Sequence, residues 1–165
     1  MAKVVLRLGD DVSTDAIYPG RFMATVLPTE TAQYCFADLV EFNKKLQDGQ
    51  VAPNSVIVAD RNFGTGSSRE QAASCLKRWD LVVVANNYSR IFFQNAVNLG
   101  LRLIICPGVE AAEGDEVEFT PNTVVNKTSG KSYAVEALPP ARQAIVEAGG
   151  LIPYVRMKLM EERAR

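Results

Sequence analysis

Histidine is absent from this sequence of 165 residues. Its absence excludes Ser-His-Asp and Cys-His catalysis, and it removes the side chain that most often binds metals or acts as a base near neutral pH. Any acid–base chemistry must therefore use hydroxyl groups, carboxylates, lysine, tyrosine or cysteine.

Cysteine is scarce as well. The three cysteines, Cys35, Cys75 and Cys106, lie far apart and form no CxxC pair. An iron–sulfur cluster or a structural zinc usually needs four thiolate ligands, so we expect this chain alone to hold neither. The odd number and the wide spacing are typical of reduced thiols in a cytosolic protein. We expect each cysteine to be a small buried apolar group.

Net charge and long apolar runs are also missing. Eighteen basic residues stand against nineteen acidic ones, which leaves no electrostatic footprint for nucleic acid or anionic lipid. Charged residues interrupt the apolar start of the chain, which argues against a signal or transit peptide, and no window reaches the roughly 20 apolar residues of a membrane span. We therefore expect a cytoplasmic protein, folded as a single domain over residues 1–165.

An alternation of apolar strands and amphipathic helices is what the sequence does contain. Strands are predicted at 3–8, 55–60, 81–85 and 101–106, and helices at 29–46, 69–79, 89–99 and 140–148. The short connections between 55 and 106 are typical of parallel βαβ units. Three short strands follow between 115 and 137, the last two joined as a hairpin through Ser129-Gly130, and residues 157–165 form a charged tail or an exposed helix. The prediction is an α/β layer with an added β portion.

The segment FGTGSSRE, residues 63–70, joins a predicted strand to a predicted helix. Gly64 and Gly66 let the backbone take positive φ and bring its N–H groups close to a bound group. The helix start offers free N–H groups and a positive dipole end, and Arg69 adds a planar fork for a carboxylate, so an anion is the natural ligand. A second interpretation needs no ligand, because the four residues from Ser67 match the capping box S-x-x-E.

A polar segment, GDDVSTDAIYPGRF at residues 9–22, follows the first predicted strand. Its aspartates fit turns that hydrogen-bond their own backbone, and Arg21 fits a solvated charge. With VVVANNYSRIFFQNAVNLGL and LIICP after them, the two segments closely resemble the small subunit of 3-isopropylmalate dehydratase, the stand-alone counterpart of the swivel domain of aconitase and homoaconitase. The resemblance runs from Lys3 to Pro107 and more loosely to the C-terminus. It implies a swivel-domain-like, layered β/β/α fold with parallel βαβ units and an added small β portion.

The resemblance also implies a hydro-lyase made of two chains. In that family a large subunit carries a four-iron four-sulfur cluster, whose open iron binds the substrate hydroxyl and carboxylate, and the small subunit closes over the site. The implied reaction isomerises 2-isopropylmalate and 3-isopropylmalate by dehydration and rehydration, in leucine biosynthesis. Homoaconitate, 2-methylmalate and 2,3-dimethylmalate remain alternative substrates, and a non-catalytic anion-binding module is the alternative from another class. Self-association of the isolated chain stays open.

Roles for individual residues follow from the resemblance, position by position. Ser67 matches the family's catalytic base, a serine that acts as an alkoxide on the carbon beside the hydroxyl-bearing one. Ser68 and Arg69 match contacts to the substrate carboxylate, with Gly66 in the same turn, and Asp15 matches an aspartate that pairs with a histidine of the partner. A serine alkoxide needs support from its surroundings, which the N–H groups of the turn, the helix start and Arg69 supply.

Two positions depart from the family pattern. Thr65 stands where the family commonly has cysteine, and Gln71 stands where it commonly has histidine. Neither position carries a transferred catalytic role, so the departures bear on redox sensitivity and local hydrogen bonding rather than on activity.

The loop after Pro19 lies where related enzymes choose between substrates. Arg21 is expected to contact a carboxylate or the variable substituent of the substrate. An apolar wall is expected from Phe22, Met23 and Val26. Ordinary core packing is the alternative interpretation for the first two of these side chains.

Overall fold

The structure, a computed structural model, describes residues 1–25 and 27–164. The strands are β1 (Ala2–Arg7), β2 (Val56–Ala59), β3 (Val82–Ala85), β4 (Arg102–Ile105), β5 (Glu116–Phe119), β6 (Thr123–Asn126) and β7 (Ser132–Ala134). The helices are α1 (Thr14–Ile17), α2 (Pro28–Thr31), α3 (Val40–Gln47), α4 (Glu70–Arg78), α5 (Arg90–Leu99), α6 (Pro140–Glu147) and α7 (Leu151–Arg163). Two 3-10 turns lie at Gly20–Phe22 and Ala32–Tyr34.

In the described chain the strands form one sheet in the order β4-β3-β2-β1-β5-β6-β7. Strands β1 to β4 are parallel, β1 pairs antiparallel with β5, and β5 to β7 form an antiparallel meander. Because α4 connects β2 to β3 and α5 connects β3 to β4, the predicted βαβ units and the added β portion are confirmed. The N–H of Glu136 donates to the Ile105 carbonyl at 2.9 Å, which brings the chain after β7 back to β4 and curls the sheet.

Both faces of the parallel strands β2 and β3 are buried, as their continuous apolar runs predicted. Along β2, Ile57 and Ala59 pack into one core with the helices. Val56 and Val58 pack into a second core with Val117 of β5. The curled sheet therefore encloses one core and carries the helices over the other, which gives the layered strand, strand and helix arrangement.

The single helix predicted over 29–46 is wrong. In the structure α2 ends at Thr31, a 3-10 turn follows, and α3 begins only at Val40. The helix is interrupted because Phe36 has a φ of +50° and its N–H donates to the Ile17 carbonyl at 2.7 Å. The Phe36 ring is completely buried. Tertiary packing of this aromatic side chain thus overrides the local helical pattern.

The remaining helices lie near their predicted positions. Helix α5 ends at Leu99, and Gly100 follows as its C-cap in the left-handed conformation, with a φ of +70°. The C-terminal helix begins at Leu151, earlier than predicted, and among its residues only Tyr154 is half-buried, the rest being exposed. Arg165 lies outside the described residues. Among residues 1–25 and 27–164, no helix is long and apolar enough to cross a membrane.

Candidate active site

The loops that follow β1 and β2 lie side by side, because the carboxyl ends of neighbouring parallel strands meet at one edge of the sheet. The Thr14 N–H donates to the Thr65 carbonyl at 2.8 Å, and the Gly64 N–H donates to the Val12 carbonyl at 2.7 Å. These bonds join the two polar motifs that are separate in the sequence. The structure therefore presents them as one surface.

Acidic side chains of the first loop hold the second loop. Asp10 accepts hydrogen bonds from Nη2 and from the backbone N–H of Arg61, both at 2.8 Å. The side-chain bond, and after it the backbone bond, lowers the pKa of Asp10 to about 2. Asp11 accepts from Nδ2 of Asn62 at 2.7 Å. Both aspartates thus bond across to the neighbouring loop.

Gly64 and Gly66 adopt the predicted positive φ, at +81° and +100°. A Cβ atom on Gly64 would lie 2.2 Å from Cγ of Phe92, so the backbone at Gly64 packs directly against the buried Phe92 ring and leaves no space for a side chain. From Gly66 to Arg69, the backbone N–H groups find no acceptor among the described residues. The turn therefore presents a row of free donors ahead of α4.

The capping-box interpretation of Ser67 is wrong. Helix α4 begins at Glu70 with Arg69 as its N-cap, and within the described chain no side chain caps it. Ser67 is exposed, and its Oγ atom lies 3.3 Å from Oγ1 of the buried Thr14. The Thr14 hydroxyl also donates to the Ser67 carbonyl at 3.1 Å. The Ser67 hydroxyl, with the exposed Ser68 beside it, is thus held at the surface next to the free N–H groups.

Arg69 and Asp15 form an ion pair across the two loops. Nη1 of Arg69 donates to Oδ1 of Asp15 and also, at 3.1 Å, to the Tyr18 carbonyl. The Gly20 N–H donates to the same Oδ1 atom at 2.9 Å. The Arg69 side chain is 16% exposed and that of Asp15 is 62% exposed, so the guanidinium is the deeper partner.

The ion pair leaves part of the guanidinium without a partner. The hydrogen bond from Arg69, and after it the bond from the Gly20 N–H, holds the pKa of Asp15 below its ordinary value. Nε of Arg69 is buried and finds no acceptor among the described residues, and Nη2 donates to none of them. The structure thus brings Ser67 and Ser68 together with Arg69 and Asp15, but the last two side chains bind each other.

Arg21 is also paired. Its two terminal nitrogens donate to the two carboxylate oxygens of Asp38, and its guanidinium carbon lies 4.6 Å from the centre of the Phe22 ring. This bond from Arg21 is the main cause that lowers the pKa of Asp38. The side chains of the pair are 55% exposed, so the pair lies at the surface and Arg21 carries no uncompensated charge.

The apolar part of the loop after Pro19 divides between packing and exposure. Phe22 is half-buried and stacks on Tyr34, with the ring centres 4.0 Å apart. Met23 is 44% exposed. Val26 lies outside the described residues. Core packing therefore accounts for Phe22, whereas Met23 is free to meet a ligand or a partner.

Sequence reasoning missed Thr14 and Asp38. Thr14 precedes Asp15 in the motif, but its bond to Ser67 joins positions 53 apart and leaves no local signal. Asp38 falls inside the helix that was wrongly predicted over 29–46, so its pairing with Arg21 could not be anticipated.

The three cysteines are free and completely buried, which confirms their predicted role as small apolar groups. In the part of the chain that the structure describes, no group of three or more His, Cys, Asp or Glu side chains is placed to hold a metal ion. The polar surface built by the two loops carries hydroxyl groups, backbone N–H groups, carboxylates and a guanidinium.

Known proteins are similar to this chain in sequence and in fold. The family described as Aconitase C-terminal domain matches residues 29–105. The chain is 39% identical over 163 residues to the 3-isopropylmalate dehydratase small subunit of Heliobacterium modesticaldum, covering 95% of each chain. It is 40% identical over 157 residues to the 2,3-dimethylmalate dehydratase small subunit of Eubacterium barkeri, covering 92% of this chain and 93% of the relative. The crystal structure of 3-isopropylmalate dehydratase from Methanocaldococcus jannaschii matches with a TM-score of 0.88 and 38% identity, over 99% of this chain and 98% of that chain.

Proposed function

Because the chain belongs to the family of 3-isopropylmalate dehydratase small subunits, within the aconitase superfamily, we propose that it is the small subunit of a two-chain hydro-lyase. The reaction is the isomerisation of 2-isopropylmalate and 3-isopropylmalate by dehydration and rehydration, which serves leucine biosynthesis. The observation that carries the proposal is the surface formed by the two loops. It places an exposed hydroxyl, free N–H donors and a guanidinium together at the start of one helix.

Ser67 carries the proton step. Its oxygen, as the alkoxide, takes the proton from the carbon beside the hydroxyl-bearing carbon, and the electron pair of that C–H bond becomes the double bond as hydroxide leaves. Hydroxide then adds to the carbon that lost its proton, and Ser67 returns the proton to the other carbon, which gives the isomer. The free N–H groups from Gly66 onward and the positive end of α4 stabilise the anionic form of Ser67.

The substrate carboxylate is held by the same turn. Ser68 is exposed and adjoins Ser67, and the N–H groups beside it have no acceptor in the described chain. Arg69 supplies the positive charge, with Nη2 available because Nη1 is the nitrogen that Asp15 and the Tyr18 carbonyl engage. Asp15 therefore fixes the guanidinium through Oδ1, which leaves its other oxygen, Oδ2, to pair with a side chain of the large subunit.

A large subunit completes the site. Ser67, Ser68 and Asp15 are exposed on one side of this chain, and the relatives are named small subunits. The four-iron four-sulfur cluster belongs to that partner, since the three cysteines of this chain are buried apart from the loop surface. Once in place, the cluster supplies a Lewis acid that polarises the leaving hydroxyl group.

The substituent of the substrate is apolar. Arg21 is neutralised by Asp38, so it offers no free cation to a longer acidic chain such as that of homoaconitate. Met23 is exposed in the same loop and suits an alkyl group. A relative of similar identity is named a 2,3-dimethylmalate dehydratase small subunit, and the methyl substituents in that name are likewise apolar. The alkyl malates thus remain the candidates, with isopropylmalate first.

The test is Ser67→Ala in the complex reconstituted with the large subunit. We expect turnover to fall by about a thousandfold, because the base is lost, while the two subunits still co-purify. Unchanged turnover would favour a non-catalytic anion-binding module. The isolated chain is expected to be colourless, so a brown, iron-bearing preparation of it would contradict the assignment of the cluster to the partner.

A substrate panel separates the alkyl malates. The reconstituted pair is assayed with 2-isopropylmalate, 2-methylmalate, 2,3-dimethylmalate and homoaconitate, by following the unsaturated intermediate in the ultraviolet. The highest kcat/KM is expected for 2-isopropylmalate and the lowest for homoaconitate. A preference for homoaconitate would contradict the apolar assignment of this loop.

A further inference from the structure

Thr14 is the buried neighbour of the Ser67 hydroxyl. Its side chain sits at the first residue of α1 and the residue is 2% exposed. Its Oγ1 atom lies 3.1 Å from the Ser67 carbonyl oxygen and 3.3 Å from Ser67 Oγ. Both contacts reach across from the first loop to the second, so Thr14 touches the two oxygen atoms of a single residue.

The number of hydroxyl protons determines the direction of the two hydrogen bonds between Thr14 and Ser67. A threonine hydroxyl has one proton, and a carbonyl oxygen can only accept. When Ser67 is neutral, the Thr14 hydroxyl donates a hydrogen bond to the Ser67 carbonyl. The Thr14 oxygen then accepts a hydrogen bond from the Ser67 hydroxyl. When Ser67 is an anion, its Oγ has no proton to give and becomes the stronger acceptor.

We propose that Thr14 is a positioning residue that holds the Ser67 oxygen in place. When Ser67 is ionised, the Thr14 O–H bond rotates, so that the Thr14 hydroxyl donates its hydrogen bond to the Ser67 oxygen. The proposal rests on the assignment of Ser67 as the base. No proton leaves Thr14 in either state, because only its O–H bond rotates. The hydrogen bond to the anion favours the ionised form of Ser67 and lowers the barrier to proton abstraction.

The surroundings of Thr14 allow this rotation without moving the backbone. Its N–H is fixed on the Thr65 carbonyl at 2.8 Å, and Ser13 caps the same short helix through the Ala16 N–H at 3.0 Å. Even a Cβ atom on Gly66 would lie 3.5 Å from Oγ1 of Thr14, an ordinary contact distance, so this residue does not crowd the hydroxyl. Arg69 and Asp15 bond to each other through Nη1 and Oδ1, and the only hydrogen-bond partners of the Thr14 hydroxyl in the described chain are the two oxygen atoms of Ser67.

The experiment compares Thr14→Val, Thr14→Ser and Ser67→Ala in the reconstituted complex. Thr14→Val keeps the shape and removes the hydroxyl, so we expect kcat to fall by about 10- to 100-fold with little change in KM. The isotope effect on kcat should rise with substrate deuterated at the carbon that loses its proton. Thr14→Ser retains the hydroxyl and should restore most of kcat.

Thr65→Val is the matched control. It removes a threonine hydroxyl from the facing loop that forms no hydrogen bond with the described residues, and we expect kcat to stay unchanged. Equal kcat in Thr14→Val and wild type, with Ser67→Ala inactive, would overturn the role of Thr14 and leave the role of Ser67 standing. An active Ser67→Ala would overturn both. Loss of kcat in Thr14→Ser equal to that in Thr14→Val would also overturn it, because packing alone would then explain the loss.

Discussion

Asp15 and Arg69 form an ion pair although 54 positions separate them in the chain. The pair ties the loop after β1 to the turn before α4, and the Gly20 N–H completes it. The guanidinium is therefore oriented before any substrate arrives. In the role proposed for Arg69, preorganisation of this kind removes the ordering of a long, flexible side chain from the free energy of substrate binding.

Gly20 controls the position of this ion pair. A Cβ atom there would lie 3.0 Å from Nη2 of Arg69 and 3.2 Å from Oδ1 of Asp15, so Gly20→Ala displaces both groups. We expect KM for the substrate to rise by about tenfold, which corresponds to ~1.4 kcal/mol, in steady-state assays of the complex. Gly9→Ala is the control, since nothing lies within 4 Å of its Cβ position. An unchanged KM in Gly20→Ala would show that the placement of Arg69 does not matter for binding.

Gly64 is required by the core. Gly64→Ala combines a φ of +81° with a Cβ atom only 2.2 Å from Cγ of Phe92, so the free energy of unfolding should fall by about 3 kcal/mol. Gly130→Ala shares the positive φ, at +75°, but has nothing within 4 Å, and should cost only about 1 kcal/mol. Urea unfolding of both variants measures the difference. Equal losses would mean that the ring of Phe92 moves aside freely.

The ion pair between Asp10 and Arg61 should make the free energy of unfolding depend on pH in the acidic range. Arg61 lowers the pKa of Asp10 from 3.8 to about 2, so the contribution of this carboxylate is present above pH 3.8 and is lost as the pH falls towards 2. We therefore expect the difference in unfolding free energy between wild type and Asp10→Asn to shrink over that interval. Denaturant titrations at several pH values provide the measurement. A difference that widens in acid would contradict the assigned direction.

The three thiols should be inert in the native protein. All of them are buried, and burial raises the pKa of Cys106 to about 11 and that of Cys35 above its usual range. Modification by a thiol reagent at pH 8 should be at least about a thousandfold slower than in denaturant, because it must await unfolding. Thr65→Cys places a thiol on the half-exposed loop and should react without denaturant. Rapid labelling of the native wild type would contradict this expectation.

Periodic patterns predicted the parallel half of the fold well. Strands β2 to β4 and helices α4 and α5 were foreseen because burial on both faces, or on one helical face, repeats along the chain. The break at Phe36 was not foreseen, because it depends on a hydrogen bond to Ile17 in another part of the fold. Local sequence carries no record of such a bond.

The sequence predicted which residues form the candidate site, but it did not predict which side chains of the site bind each other. Resemblance placed Ser67, Arg69 and Asp15 together, and the structure brings them to one surface. The local pattern favoured a helix cap for Ser67, whereas the contact with Thr14, 53 positions away, determines how its hydroxyl is held. Likewise the pairing of Arg69 with Asp15 depends on two loops that meet only in the folded chain.

The return of Glu136 to Ile105 has a consequence for the chain before it meets its large subunit. A sheet with open flanks invites strands from other molecules to add on and build aggregates. Here the two outermost strands are turned towards each other, which leaves less of either flank open to such addition. The sheet flanks of the free subunit are thereby less able to recruit strands from other molecules.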